Sequence, residues 1–230
     1  MHKIEDNLTQ VQHVIQQAAE RASRNSNAIT LLAVSKKQSA QTITKAYDAG
    51  QRNFGENYVQ EAIDKKNELH HLNICWHFIG PIQSNKTKII AENFSWVHSI
   101  DREKIAQRLN DQRPVNLPPI NVCIQVNIDR EVTKSGVFLE DVQKLVACIH
   151  KMPRLSLRGL MAIPEPGNEA SQHESFKKMK NLFDNINMKE TNPKQQLDTL
   201  SMGMSADLTI AIAEGSTLVR VGTQIFGKRD

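Results

Sequence analysis

Short β-rich runs alternate with helix-patterned segments from residue 29 almost to the end of this 230-residue chain, and few folds accept that order. The runs fall at 29–35, 52–54, 75–80, 96–100, 121–128, 157–163, 199–202 and 218–221. Ser39 can cap a helix that carries Ile43, Ala46 and Tyr47 and stops at Gly50, and Asp101 can cap one that carries Ile105 and Leu109. Leu139, Val142, Leu145, Val146 and Ile149 form a helical stripe ahead of Pro153, and Phe176, Met179, Leu182, Phe183 and Ile186 form another. Ser205 can cap the last long helix, which stops at Gly215. Side-chain oxygens at such positions satisfy first-turn N–H groups, and glycine permits a left-handed exit. Ahead of all this, Ile4, Leu8, Val11, Ile15, Ala18 and Ala22 recur at helical spacing, so residues 1–26 should form a covering helix.

Strands alternating with helices predict α/β architecture: a single-domain (β/α)₈ TIM barrel over residues 1–230, with the extra N-terminal helix. The length suits one such unit. A doubly wound sheet is the rival, because the 52–54 run is very short. The barrel is favoured by the even spread of strands and by the absence of a Gly-rich dinucleotide fingerprint after the first strand. Segments 110–119 and 165–171 read as loops, not domain boundaries.

Charge and cysteine usage remove several functions. The net charge is +4, and the basic pairs Lys65-Lys66 and Lys177-Lys178 sit among acidic neighbours, not in a stripe interleaved with aromatics, so no nucleic-acid partner is expected. Cys75, Cys123 and Cys148 are odd in number and widely spaced, which fits neither a disulfide framework nor a zinc site. His70-His71 has no second cluster at ligand spacing, so no metal is expected. Met1-His2-Lys3-Ile4-Glu5-Asp6 lacks the apolar core of a signal peptide, and no stretch is long enough to span a bilayer. The expected location is the cytoplasm, away from membranes.

In a barrel, the C-terminal ends of the strands build the site. Lys36 ends the apolar run Leu31-Leu32-Ala33-Val34-Ser35, where partial desolvation would free a neutral amine for Schiff-base chemistry. The same rim receives Gly55-Glu56-Asn57, Gly80-Pro81-Ile82-Gln83-Ser84, Met161, Ser201-Met202-Gly203-Met204-Ser205 and Arg220-Val221-Gly222-Thr223. Loops after strands seven and eight often hold phosphate in barrels, and the glycines and hydroxyls of Ser201, Gly203, Ser205, Gly222 and Thr223 suit that task. A strand-end lysine with a phosphate cradle favours a phosphorylated ligand bearing an aldehyde, and pyridoxal 5′-phosphate (PLP) fits. Arg220 could then face the pyridine nitrogen and keep it unprotonated. Each residue also has a plainer reading. Ser205 could be only an N-cap and Gly203 only a turn. Arg220 could pair with Glu214 or another carboxylate, His77 could be a core histidine, and Glu56 could cap the next helix. Met161, Met202 and Met204 read most simply as packing groups.

Longer blocks extend the pattern. They are Leu31 to Lys36, Asn53-Phe54-Gly55-Glu56-Asn57-Tyr58-Val59-Gln60-Glu61, Trp76-His77-Phe78-Ile79-Gly80-Pro81-Ile82-Gln83-Ser84-Asn85-Lys86, Lys134-Ser135-Gly136, Arg158-Gly159-Leu160-Met161-Ala162-Ile163, Leu200-Ser201-Met202-Gly203-Met204-Ser205-Ala206-Asp207 and Val219-Arg220-Val221-Gly222-Thr223-Gln224-Ile225-Phe226-Gly227. Together they resemble the pyridoxal phosphate homeostasis protein family over essentially the whole chain. The resemblance implies a barrel similar to the N-terminal domain of alanine racemase (PLP fold type III). Lys36 would be the Schiff-base lysine, and Ser201, Met204, Ser205, Gly222 and Thr223 the phosphate cradle. Arg220 would partner the pyridine nitrogen and Asn57 would touch the ring, with Met161 and Ser84 carried over less closely. It further implies a carrier or regulator of vitamin B6 and amino-acid homeostasis without established catalysis, with apo PLP-dependent enzymes as candidate recipients.

Nothing follows Asp230, so the second domain of the racemases is expected to be missing, which favours a monomer. Tyr47 and Tyr58 fall in predicted helices, leaving two-base racemisation without its second base. The alternatives are a PLP-dependent racemase or lyase using Lys36 as single base, and a cofactor-free lysine acting on a sugar phosphate.

Overall fold

The apolar runs become strands whose residues are mostly buried: β1 (Thr30–Val34), β2 (Asn53–Glu56), β3 (Cys75–Phe78), β4 (Trp96–Ile100), β5 (Ile120–Val126), β6 (Leu155–Ala162), β7 (Thr199–Ser201) and β8 (Leu218–Val221). In the computed structural model, which describes residues 4–131 and 134–227, these eight strands close into a parallel barrel in chain order. β1 completes the ring by pairing with both β2 and β8. The expected barrel is therefore the observed one, and the short 52–54 run is a true strand that continues to Glu56.

Helices clothe the ring, as parallel strands require. They are α1 (Ile4–Arg21), α2 (Ala40–Asp48), α3 (Val59–Glu68), α4 (Thr87–Asn93), α5 (Glu103–Gln112), α6 (Leu139–Ile149), α7 (Glu169–Lys189), α8 (Leu208–Ala213) and α9 (Thr223–Phe226). The expected covering helix is α1. It buries Leu8, Val11, Ile15, Ala18 and Ala19 against α2, α8 and α9, and the first three residues lie outside the described ones. Asn7 fixes it by donating to the Ile225 carbonyl 2.8 Å away. Ser39 caps α2 by accepting from the Thr42 N–H, and Gly50 follows at φ +96°.

Two expected caps do not form. Asp101 pairs instead with Arg102, which itself precedes α5. Ser205 does not start α8, because Asp207 reaches back to the Met204 N–H and closes a tight turn first. α8 consequently begins at Leu208 and runs only six residues.

One irregularity shapes the ring. Pairing between β5 and β6 passes from Val122–Leu157 to Cys123–Gly159, so Arg158 is an extra residue without a partner across the ladder. Its side chain turns to Asn121 and Asp198 and lies over the Trp96 ring.

Candidate functional site

Where β1 ends, the chain makes a turn closed by the Gln38 N–H on the Ser35 carbonyl at 3.0 Å. Lys36 and Lys37 are its central residues, and Lys37 takes the left-handed φ of +62° that such a turn demands. Both flanks are pinned. The Ser35 hydroxyl donates to Glu56 Oε1 at 2.6 Å, and the Lys37 N–H donates to Glu61 Oε1. Lys65 joins them by donating to Glu56 Oε1 (2.8 Å), Glu61 Oε1 (2.5 Å) and the Ser35 carbonyl (2.8 Å). Burial pushes the Glu56 carboxyl up, against the pull of Lys65 and Ser35. Glu56 therefore neither faces the rim nor caps α3. It belongs to a buried clamp that fixes the Lys36 turn, and sequence spacing gave no sign of Lys65.

Lys36 lines a cleft of about 340 Å³ at the C-terminal mouth of the barrel. Its neighbours there include Asn57, after β2, and Met161, near the end of β6. Arg220 of β8 lines it too, as do Met204 and Ser205 after β7 and Gly222 and Thr223 after β8. These last two loops are tied together: the Arg220 N–H donates to the Gly203 carbonyl, and Gln224 Nε2 donates to the Ser205 carbonyl. Gly203 makes the turn at φ +94° with no room for a side chain, since an added Cβ would lie 2.5 Å from that of Ala211.

Three expected site residues do not line the cleft. Ser84 turns away after β3, its carbonyl accepting from Thr87 and Arg108. Gly203 is buried in its turn, and Ser201 is buried below the cleft with its hydroxyl engaged by Arg220 and His98. Tyr58 is not within a helix but precedes α3, 53% exposed, and Tyr47 lies under the Arg52 guanidinium. Neither tyrosine lines the cleft.

Two polar groups of cleft-lining residues are incompletely satisfied among the described residues. Asn57 Oδ1 is sequestered from solvent without a hydrogen-bond partner among the described residues, which costs free energy until one arrives. Arg220 is 4% exposed and, among the described residues, pairs with neither Glu214 nor any touching carboxylate; Glu214 binds His173 instead. Its Nη1 donates to the Ser201 carbonyl and hydroxyl, and its Nη2 to the Ala162 carbonyl, at 2.7–2.9 Å. Burial pushes the guanidinium down to about 10, with Asp207 pulling the other way, so it stays charged at neutral pH.

Under Arg220 lies a histidine pair that spacing did not reveal. His77 and His98 each stand third in adjacent strands, and His77 Nδ1 is 2.9 Å from His98 Nε2. Burial pushes His77 down to about 3 and His98 well below its usual 6.5. An unfolded chain takes up these protons near pH 6.5, whereas the folded chain refuses them until far lower. Their contribution to stability is thus complete above pH 6.5 and falls as pH drops towards 3. Thermal melts should decline across that window, and less steeply in His77→Asn. Equal slopes for variant and wild type would dismiss the histidines as the cause.

Comparison with known proteins follows the same lines. A family model described as alanine racemase, N-terminal domain, matches residues 7–230. The chain is 53% identical to the pyridoxal phosphate homeostasis protein of Pseudomonas aeruginosa, covering 100% of this chain and 97% of that one. It is also 53% identical to the protein of that name from Escherichia coli K12, with 100% and 98% coverage. The solved structure of PipY from Synechococcus elongatus with PLP bound superimposes with a TM-score of 0.80 at 36% identity, covering 93% of this chain and 100% of that one. Alanine racemase from Corynebacterium glutamicum shares the fold, with a TM-score of 0.69 at 14% identity over 99% of this chain and 60% of its own.

Proposed function

Because the chain belongs to the alanine racemase N-terminal domain family, and within it to the pyridoxal phosphate homeostasis proteins, we propose that its cleft binds PLP with Lys36 as the covalent anchor. The protein would hold and deliver the cofactor in the cytoplasm, serving PLP homeostasis and supplying apo PLP-dependent enzymes. The joint lining of one cleft by Lys36, Arg220, Asn57 and two tied loops carries the reading. When bound, PLP would supply an aldehyde reactive towards a neutral primary amine, the chemistry that a covalent anchor at Lys36 would use.

The residues present suit the group. A cleft of about 340 Å³ lies within the range of small-ligand sites. Asn57 offers an unpartnered acceptor. Hydroxyls and backbone at Ser205 and Gly222-Thr223 suit a phosphate. Arg220 is the residue we assign to the ring nitrogen. Keeping its own proton at neutral pH, it would donate a hydrogen bond to that nitrogen without giving the proton up, so the nitrogen would stay unprotonated and the electron sink weak. Tyr47 and Tyr58, both away from the cleft, leave it without a tyrosine to act as a second base. Such a site retains cofactor better than it turns substrate over.

Purified protein incubated with PLP should keep a visible absorbance through gel filtration, move it on borohydride reduction, and reactivate an added apo-enzyme. Arg220→Glu should shift the band and weaken retention about tenfold or more, since it puts an unpaired carboxylate in a buried cation's place. A colourless protein that cannot be reconstituted would sink the proposal. An unchanged Arg220→Glu spectrum would remove Arg220 from the site.

A further inference from the structure

Arg220 is a buried cation held by uncharged oxygens, and one of these opens a longer path. Ser201 Oγ accepts from Arg220 Nη1 at 2.8 Å and lies 3.0 Å from His98 Nδ1. β4 and β7 are not neighbours in the ring, so this contact crosses the barrel interior. His98 Nε2 then meets His77 Nδ1 at 2.9 Å, and His77 Nε2 meets Asn53 Oδ1 at 3.2 Å, with the weaker Cys75 Sγ 3.4 Å away. Asn53 and His77 line a second cavity, about 280 Å³, which also takes in Arg158 and Asp198. Asn53 opens β2 whereas Arg220 stands near the end of β8, so the path runs from the cleft towards the opposite mouth.

We propose that Ser201, His98 and His77 form a one-directional hydrogen-bond chain, both histidines neutral with their protons on Nε2, that positions Arg220 for the ligand. Two fixed ends set the direction. Arg220 can only donate, and Asn53 Oδ1 can only accept. Between them each group donates once and accepts once along the line: Ser201 O–H to His98 Nδ1, His98 Nε2–H to His77 Nδ1, and His77 Nε2–H to Asn53 Oδ1. The reverse sense would have Ser201 Oγ accept from Arg220 and His98 together, leaving its fully buried hydroxyl proton without an acceptor among the described residues. That unmade bond is costly, and the forward sense has none.

The forward sense also suits the charge. Every lone pair on the line faces the guanidinium and every hydrogen points away from it, so aligned neutral dipoles solvate the cation where a carboxylate would have neutralised it. Three of the five guanidinium donors are held on Ser201 and Ala162, and among the described residues the other two keep no protein partner. His98 and His77 are therefore positioning residues, acting on the ligand through Arg220, a role that rests on the reading of the cleft as a PLP site.

The direction can be tested without cofactor. At pH 7, long-range ¹H–¹⁵N spectra of protein labelled at histidine should give Nε2–H tautomers for both His77 and His98. An Nδ1–H tautomer or an imidazolium at either would overturn the chain. With PLP, Ser201→Ala should shift the absorbance maximum and speed cofactor loss on gel filtration by on the order of tenfold, while Ser201→Thr, which keeps the hydroxyl, restores both. Ser201→Ala with wild-type spectrum and retention would overturn the positioning role. Wild-type protein that retains no PLP would instead defeat the functional reading, leaving the tautomer result to stand by itself.

Discussion

Lys36→Ala should fold like the wild type and emerge from gel filtration colourless after incubation with PLP. Lys36 is half-buried at the tip of a turn whose geometry is set by its flanks, Ser35 and Lys37, through Glu56, Glu61 and Lys65. Shortening its side chain leaves the hydrogen bonds of that clamp in place, so the variant should still melt in a single cooperative transition. Retention should change far more, because the proposed covalent attachment would give way to reversible contacts with the remaining residues of the cleft. Lys37→Ala is the matched control: Lys37 is exposed and does not line the cleft, and alanine meets the same φ of +62°. Its absorbance should equal the wild type's. A visible, borohydride-sensitive band that persists in Lys36→Ala would assign the anchor to another amine and undo the proposed function.

The largest effect on folding is expected at Gly159. An alanine Cβ there would sit 1.6 Å from the Thr199 carbonyl oxygen and 2.6 Å from its carbon. That oxygen belongs to β7, which pairs with β6 at this position, and the neighbouring Asp198 N–H is bonded to the Arg158 carbonyl at 2.9 Å. Neither strand can retreat without unzipping the ring. Gly159→Ala should therefore cost more than about 4 kcal/mol, in the range that single substitutions reach only through severe clashes, or leave no soluble protein. Gly55→Ala provides the contrast. Its Cβ would meet Leu32 Cδ2 at 3.1 Å and Ile79 Cδ1 at 3.2 Å, which are side-chain ends with freedom to shift. About 1 kcal/mol is expected there, as for mild overpacking. Urea titration of both variants measures the difference, and similar midpoints would refute the clash.

Much of the barrel was legible because its strands are local and apolar. The 96–100 and 218–221 runs coincide with β4 and β8, and Lys36 falls beyond the end of β1 where buried sequence gives way to polar. The hidden parts depend on partners distant in sequence. Asp207 pre-empts Ser205 as the organiser of the turn after β7, a choice between two good capping residues that propensity cannot make. Lys65 reads as half of a solvated basic pair until α3 docks it under β1 and β2, where it joins two carboxylates. Ser201 looked like a phosphate ligand because it shares a glycine-rich rim. It is buried because the last residue of β7 points into a ring whose interior His98 already occupies. Equal placing of His77 and His98 in successive strands was the available clue. It becomes meaningful only once β3 and β4 are known to be neighbours.

The seam between β1 and β8 has a temporal consequence. The strand that leads to Lys36 pairs on one side with β2, close by in sequence, yet its second partner β8, which carries Arg220, lies far along the chain. Until β8 pairs with it, β1 has one row of N–H and C=O groups unpaired, an edge exposed to wrong partners. The bond from Asn7 to Ile225 bridges 218 positions of sequence and backs the same seam. Contacts of such span pay their loop-closure cost before they return anything, so they form late. Competence to take up a ligand therefore depends on closing this seam, and colour in the bound state would report that the ring has closed.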